Sequence, residues 1–220
     1  MDSNKIKLHL GCGTVYLPGY INIDYPSDVQ TSQHVQTEKS ADEYCDIVAL
    51  DYPADSIQEV RLHHVFEHFD RPTALRLLTQ WYGWLCDGGI LTIETPDFDR
   101  SIKAYLFGDA RTRGKVLRHL FGSHDAHWAV HYDGWYKAKY KEYLLALGFR
   151  NLKFSYTDWM GTYNITVQAQ KTAPFISQVD QRKSVENLLR LSLVDNSETE
   201  QRVLGIWMES FLTGTVEQTK

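Results

Sequence analysis

Residues 8–24 constrain this chain more than any others. A short apolar strand, Leu8-His9-Leu10, runs into Gly11-Cys12-Gly13, and a second apolar stretch, Ile21-Asn22-Ile23-Asp24, ends in an acid. Glycine lets a backbone turn sharply and come close to a ligand, where a Cβ would intrude. A carboxylate at the tip of the next strand can accept both hydroxyls of a ribose. Together these are the parts of a nucleoside-binding α/β fold, whose ligands sit at the carboxyl ends of the strands. Only residues 11–20 link the two strands, and they contain Pro18-Gly19. A parallel crossover normally takes about a dozen residues and a helix. Ten extended residues reach about 33 Å, and a five-residue strand needs about 16 Å of return. The crossover is therefore feasible with an abbreviated helix after the glycine turn, which leaves one side of the ligand site open.

The rest of the chain alternates strands and helices. Cys45–Asp51 reads as a third strand ending in an acid, Glu59–Val65 as a fourth, and Gly89–Thr95 as a fifth bounded by Pro96. Asn151–Tyr156 and Tyr163–Gln170 form a final antiparallel pair around Gly161-Thr162. Asp70 is an N-cap with Pro72 in the first turn. Ala74, Leu77, Leu78, Trp81, Tyr82 and Leu85 follow at helical spacing, with Gly88-Gly89 as the stop. Residues 136–147 and 101–121 also read as helical, the latter broken near Gly108-Asp109. After Ala173-Pro174 the composition changes, and residues 180–194 and 197–212 predict two helices, with Ser197 and Glu200 as a capping box. The expected architecture is a seven-stranded, mostly parallel Rossmann-like sheet over residues 1–172, with a helical hairpin extension over 173–220. That hairpin either packs on its own domain, the favoured reading, or serves as a dimer contact or lid.

A net charge of −5 argues against a nucleic-acid substrate, which calls for a basic footprint. Cys12, Cys45 and Cys86 share no metal-ligand spacing and suit a reduced, cytoplasmic protein. No apolar run approaches the ~18 residues of a membrane span.

Four blocks in order carry a family resemblance: Leu10-Gly11-Cys12-Gly13 with Pro18-Gly19-Tyr20-Ile21-Asn22-Ile23-Asp24; His64-Val65-Phe66-Glu67-His68; Thr95-Pro96-Asp97; and His131-Tyr132-Asp133-Gly134-Trp135. The chain resembles the class I S-adenosylmethionine (SAM)-dependent methyltransferases. Within them it is most similar to a bacterial group of small methyltransferases found with cell-surface glycan biosynthesis, which shares the short first crossover. The resemblance covers about residues 6–171, and Gly83 and Cys86-Asp87 depart from the group's pattern.

What the resemblance implies can be placed residue by residue. Leu10, Gly11, Cys12 and Gly13 approach the methionine and ribose of SAM. Asp24 holds the ribose hydroxyls through charge-assisted bonds. Asp51 accepts from the adenine amino group, and Leu50 packs on the ring. His64 faces the methionine end, and Glu67 orients a histidine or binds the methionine amino group. A hydroxyl acceptor needs a base that works near neutral pH, a role for histidine. His131 or His68 fills it, His131 slightly ahead. Trp128, Tyr132, Trp135 and Trp159 offer stacking faces for a sugar or glycan acceptor. His124, His127 and His131 match no recurring metal spacing, so a polar active-site loop is favoured and no metal ligand is assigned. Arg111, Arg113, Lys115, Arg118 and His119 are either a solvated helix face or an anchor for a phosphate. Two rivals stand: a methyltransferase-like protein that binds SAM without transfer, and a dinucleotide oxidoreductase, against which Tyr16 holds the place of the third glycine.

Overall fold

A computed structural model describes residues 6–26, 41–172 and 178–214. The strands are β1 (Ile6–Leu10), β2 (Ile21–Asp24), β3 (Glu43–Tyr44), β4 (Ile57–His63), β5 (Leu85–Pro96), β6 (Phe149–Trp159) and β7 (Thr162–Lys171). The helices are α1 (Arg71–Trp84), α2 (Phe98–Phe107), α3 (Ala110–Phe121), α4 (Lys137–Ala146), α5 (Gln178–Arg190) and α6 (Glu198–Thr213). The seven strands lie in the order β3-β2-β1-β4-β5-β7-β6. Neighbours are parallel except around β7, which runs antiparallel to both β5 and β6. Among the described residues, no helix is long and apolar enough to cross a membrane.

The two faces of the sheet differ in chemistry. Leu8 and Leu10, Val60 and Leu62, Leu91 and Ile93, and Ile165 and Val167 alternate onto one face and are fully buried. They share a single apolar cluster with α1, α4, α5 and α6. The intervening positions are polar. His9, Arg61, Thr92 and Gln168 stand in register across four strands, and so do His63, Glu94 and Thr166. Parallel sheets usually bury both faces. Here cross-strand pairs supply the second face: Lys7 with Glu59 at 3.6 Å, His63 with Glu94 at 3.8 Å, and Thr166 donating to Glu94 Oε2 at 2.7 Å.

Three sequence expectations are corrected. The third strand is Glu43–Tyr44, not Cys45–Asp51. The Asp46 side chain accepts from Val48 N and bends the chain into a 3-10 turn at Ile47–Ala49, a local hydrogen bond that competes with the extended form. The helix starting after Asp70 ends at Trp84 rather than at the glycine pair. Lys171 Nζ donates to Leu85 O at 2.6 Å and Gly83 O at 3.5 Å, meeting the carbonyls at the helix end. Gly88, at φ +76°, falls inside β5. The first crossover contains turns and no helix at all.

Asn22 takes the place of that helix. Its Nδ2 donates to Leu17 O, Tyr20 O and Asp42 Oδ2, each at 3.1 Å, and its Oδ1 accepts from Leu17 N at 2.9 Å. One fully buried amide thus meets both backbone groups of Leu17 and ties the loop to β2. Elsewhere Asp70 caps its helix as expected, accepting from Thr73 N, and two further caps appear, Asp97 accepting from Arg100 N and Asp109 from Thr112 N. The C-terminal box is half as expected. Ser197 Oγ accepts from Glu200 N, but Glu200 Oε2 reaches Val194 N at 2.9 Å, while Ser197 N goes to Asp195.

Candidate active site

The strand order reverses direction beside β1, between β2 on one side and β4 on the other. Such a switch point leaves a crevice at the carboxyl ends of the strands. A cleft of ≈ 1430 Å³ opens there. Its floor is the glycine turn. Gly11 sits at φ +64°, and a Cβ on it would lie 2.3 Å from Val65 Cγ2. Gly13, at φ +54°, has nothing within 4 Å of its would-be Cβ. One glycine is required by packing, and the other keeps the wall of the cleft bare. Cys12 N donates to Ile23 O at 3.0 Å and holds the turn against β2. Burial pushes its thiol up to about 12. Asp24 ends β2, lines the cleft and accepts from Tyr25 N at 2.9 Å.

The cleft wall beyond Asp24 is Asp46, Ile47 and Val48. Leu50 and Asp51, expected there from sequence, lie outside the wall because β3 ends early: Leu50 packs against the core and Asp51 faces solvent. Leu10 is also corrected, since its side chain is fully buried in the apolar cluster. The 3-10 bend at Asp46 is the signal that would have located this wall, because a strand cannot continue through it.

His64 follows β4 in the left-handed region at φ +54°. For a non-glycine residue that conformation is strained and marks a candidate functional position. Its backbone N donates to Glu94 O at 2.9 Å. Nδ1 lies 3.2 Å from Glu67 Oε1 and Nε2 3.6 Å from Glu94 Oε1. Burial pulls this imidazole down, but the hydrogen bond and charge of Glu67, with Glu94, outweigh it and its pKa is raised. Glu67 is 1% exposed and sits behind the histidines rather than on the cleft wall. Burial opposes its charge, yet His64, His68 and His131 together hold its carboxyl low.

His68 and His131 line the cleft edge to face, with ring centroids 4.6 Å apart. The 3-10 turn Phe66–His68 and the loop 128–132 are stitched together, Tyr132 N donating to Glu67 O at 2.9 Å. His68 Nδ1 lies 2.9 Å from Trp128 O and 3.1 Å from Val130 O. Carbonyls only accept, so Nδ1 carries a hydrogen. Burial pushes His131 down to about 4, against the pull of Glu67.

The loop carrying His131 is fastened from below. Lys139 Nζ, almost buried, lies 2.6 Å from Asp133 Oδ2, donates to Gly134 O at 3.1 Å and sits 4.3 Å above the Trp135 ring. Trp135 stacks on Tyr140 and meets Phe66 at 4.6 Å. At 1% exposure it is a core anchor, not the stacking face expected of it. Trp128, Tyr132 and Trp159 do line the cleft. So do Lys115, Arg118 and His119 of the basic run, whereas Arg113 turns back to Tyr105 O. The structure does not gather His124, His127 and His131. His124 Nε2 bonds to Phe121 O at 2.8 Å on the exposed side.

Of the residues singled out in the sequence, Gly11, Cys12, Gly13, Asp24, His64, His68 and His131 therefore share one cleft. Asn22 and Glu94 received no role from sequence. Asn22 lay inside a quoted motif, but its amide's work shows only once the crossover is seen to lack a helix.

No family model matches the chain, and no curated protein matches it by sequence. Solved structures do match. Human N-acetylserotonin methyltransferase in complex with SAM aligns at a TM-score of 0.51 and 20% identity, over 79% of this chain and 50% of that one. A SAM-dependent methyltransferase from Archaeoglobus fulgidus aligns at 0.50 and 16%, over 76% of this chain and 86% of that one. The chain spans half the length of the human enzyme. Likeness at this level establishes the fold: the chain has the class I methyltransferase fold.

Proposed function

We propose that this chain transfers a methyl group from SAM to a hydroxyl of a sugar or other small molecule. The observation that carries the reading is the bare glycine turn beside Asp24 at the switch point, opening onto a cleft whose far side presents His68 and His131. SAM, when bound, supplies a methyl group already activated by a positively charged sulfur. The chain's own residues would do the rest. The Gly11–Gly13 backbone admits the nucleoside, Asp24 accepts from the ribose hydroxyls, and the wall Asp46–Val48 takes the adenine contacts first assigned to Leu50 and Asp51. His64, favoured in its charged form between two carboxylates, suits the anionic end of the methionine moiety. Displacement in line needs alignment above all, and proximity supplies many kcal/mol of it. The His68–His131 side of the cleft positions the acceptor hydroxyl and takes up its proton. Trp128, Tyr132 and Trp159 give a sugar ring aromatic faces to rest on.

Calorimetric titration with S-adenosylhomocysteine tests the donor half. Saturable binding is expected, weakened about 10–100-fold in Asp24→Asn, the loss of one to two charge-assisted hydrogen bonds. Saturable NAD binding with none of S-adenosylhomocysteine would overturn it. Mass spectrometry of sugar acceptors incubated with SAM tests the acceptor half. In His131→Ala, methyl transfer should vanish while donor affinity stays. Unchanged turnover refutes the role given to His131.

A further inference from the structure

We propose that Glu67, His68 and His131 form a binding site for a divalent first-row transition-metal ion on the acceptor side of the cleft. One donor atom from each lies within 4.8 Å of the other two. Bonds of about 2.0–2.2 Å to imidazole and carboxylate put donors on one ion roughly 3–4 Å apart. Glu67 Oε1 and His131 Nε2 stand 4.0 Å apart, beyond hydrogen-bond reach and within that range.

Two of the donors are prepared for the role by their surroundings. His68 must keep a hydrogen on Nδ1 for the carbonyls of Trp128 and Val130, so in the neutral ring Nε2 is left as a lone pair. A metal-binding histidine is commonly oriented in this way, by a carbonyl on its other nitrogen. Glu67 Oε1, the oxygen 4.0 Å from His131, is shared with His64, while Oε2, in a side chain 1% exposed, has no hydrogen-bond partner among the described residues. A buried carboxylate oxygen without a partner is costly, and ligation by a cation removes that cost. The three donors come from one 3-10 turn and one loop already joined by backbone hydrogen bonds, so their spacing is set by the fold.

Two imidazoles and one carboxylate form a mixed nitrogen–oxygen set that suits borderline divalent ions such as zinc, cobalt or iron better than calcium. His68 and His131 line the cleft, so an ion held there has a side open to an acceptor. Its role rests on the methyl-transfer reading; its binding does not. An acceptor hydroxyl drawn to the ion becomes more acidic. With the ion in place His68 and His131 serve as its ligands instead of as the proton acceptor: the hydroxyl proton leaves to water, the oxygen–methyl bond forms as the sulfur–methyl bond breaks, and the sulfonium becomes a neutral thioether.

The test is a titration of the full chain, stripped with chelator, by Co²⁺ followed in visible absorption. Saturable ligand-field bands that Zn²⁺ abolishes are expected. Glu67→Gln and His131→Gln should each weaken binding by about a hundredfold or more, beyond the roughly 10–100-fold of losing a supporting hydrogen bond. His124→Gln, on the exposed side of the loop, should bind as the parent does. Circular dichroism checks that each variant is folded. If one fails to fold, the other decides. No saturable bands, or undiminished bands in a folded variant, overturn the site. S-Adenosylhomocysteine binding by the stripped chain, measured in parallel, reports separately on the donor reading. A chain that binds it but no Co²⁺ loses the ion alone, and the converse loses the donor alone.

Discussion

Single side chains do unusual amounts of structural work here, and Asn22 is the clearest case. In Asn22→Ala both backbone groups of Leu17 and the carbonyl of Tyr20 lose their partner in a part-buried setting. An unmet buried polar group costs about 1–3 kcal/mol, so we expect a loss of about 3 kcal/mol or more in urea unfolding. A loss below about 1 kcal/mol would show that the crossover holds itself. His63 makes a pH prediction. Burial, with Arg61 nearby, holds it down to about 4 from an ordinary 6.5, and Glu94 only partly opposes this. Between those values the unfolded chain binds a proton that the native chain refuses, so stability falls as pH drops from 6.5 towards 4. Melting temperature plotted against pH should show that slope, flatter in His63→Gln. Identical slopes would assign the dependence elsewhere. Gly11 and Asp24 were legible as a glycine turn and a strand-end acid because those signals are local. Asn22 was not, because its partners are chosen by a loop path that residue spacing does not reveal.

Among elements, the helices were the most readable and the third strand the least. Asp70 with Pro72 is a cap signal that acts within a few residues, and the break expected at Gly108-Asp109 is where α2 ends and α3 begins. Cys45–Asp51 misled because its alternation is that of a strand, while Asp46 bends the backbone through its own side chain. The loop 128–135 depends on Asp133, two residues from the His131 that it presents, and on its partner Lys139 in α4. Lys139→Met would leave Asp133, 7% exposed, beside Arg71 at 3.6 Å but without its close partner. Breaking a buried pair from one side typically costs about 3–5 kcal/mol. The single variant should melt well below the parent. Adding Asp133→Leu should recover much of the loss, and a double variant no better than the single would point to packing by the Lys139 stem instead.

For the molecule as a whole, the C-terminal hairpin is joined to the sheet through α1. Val185, Leu188 and Leu189 of α5, and Leu204, Met208 and Phe211 of α6, belong to the same apolar cluster as the strands. Arg71, at the start of α1, adds a cation–π contact with Trp207 at 5.8 Å. A chain cut after residue 172 would bare the α1 surface that these residues cover. We expect it to aggregate or to lose its cooperative melt, whereas the intact chain melts in one transition. A truncated chain with an unchanged melt would make the hairpin an independent appendage. The seven-stranded, mostly parallel sheet was legible in outline, since strands and helices alternate with clear punctuation. The polar second face was not, because a lone His, Arg or Glu in a strand reads as an exception until register sets it beside others.

The helix-free crossover has one more consequence. Val15 and Tyr16, beside the glycine turn, are 56% and 49% exposed, so that end of the cleft is bordered by a thin rim rather than by a rigid rod. On the proposed methyl-transfer reading, spent donor would leave past that rim, with no helix among the described residues of the crossover to swing aside. Escape should then follow affinity alone, and thickening the solvent with sucrose should slow it no more than it slows free diffusion.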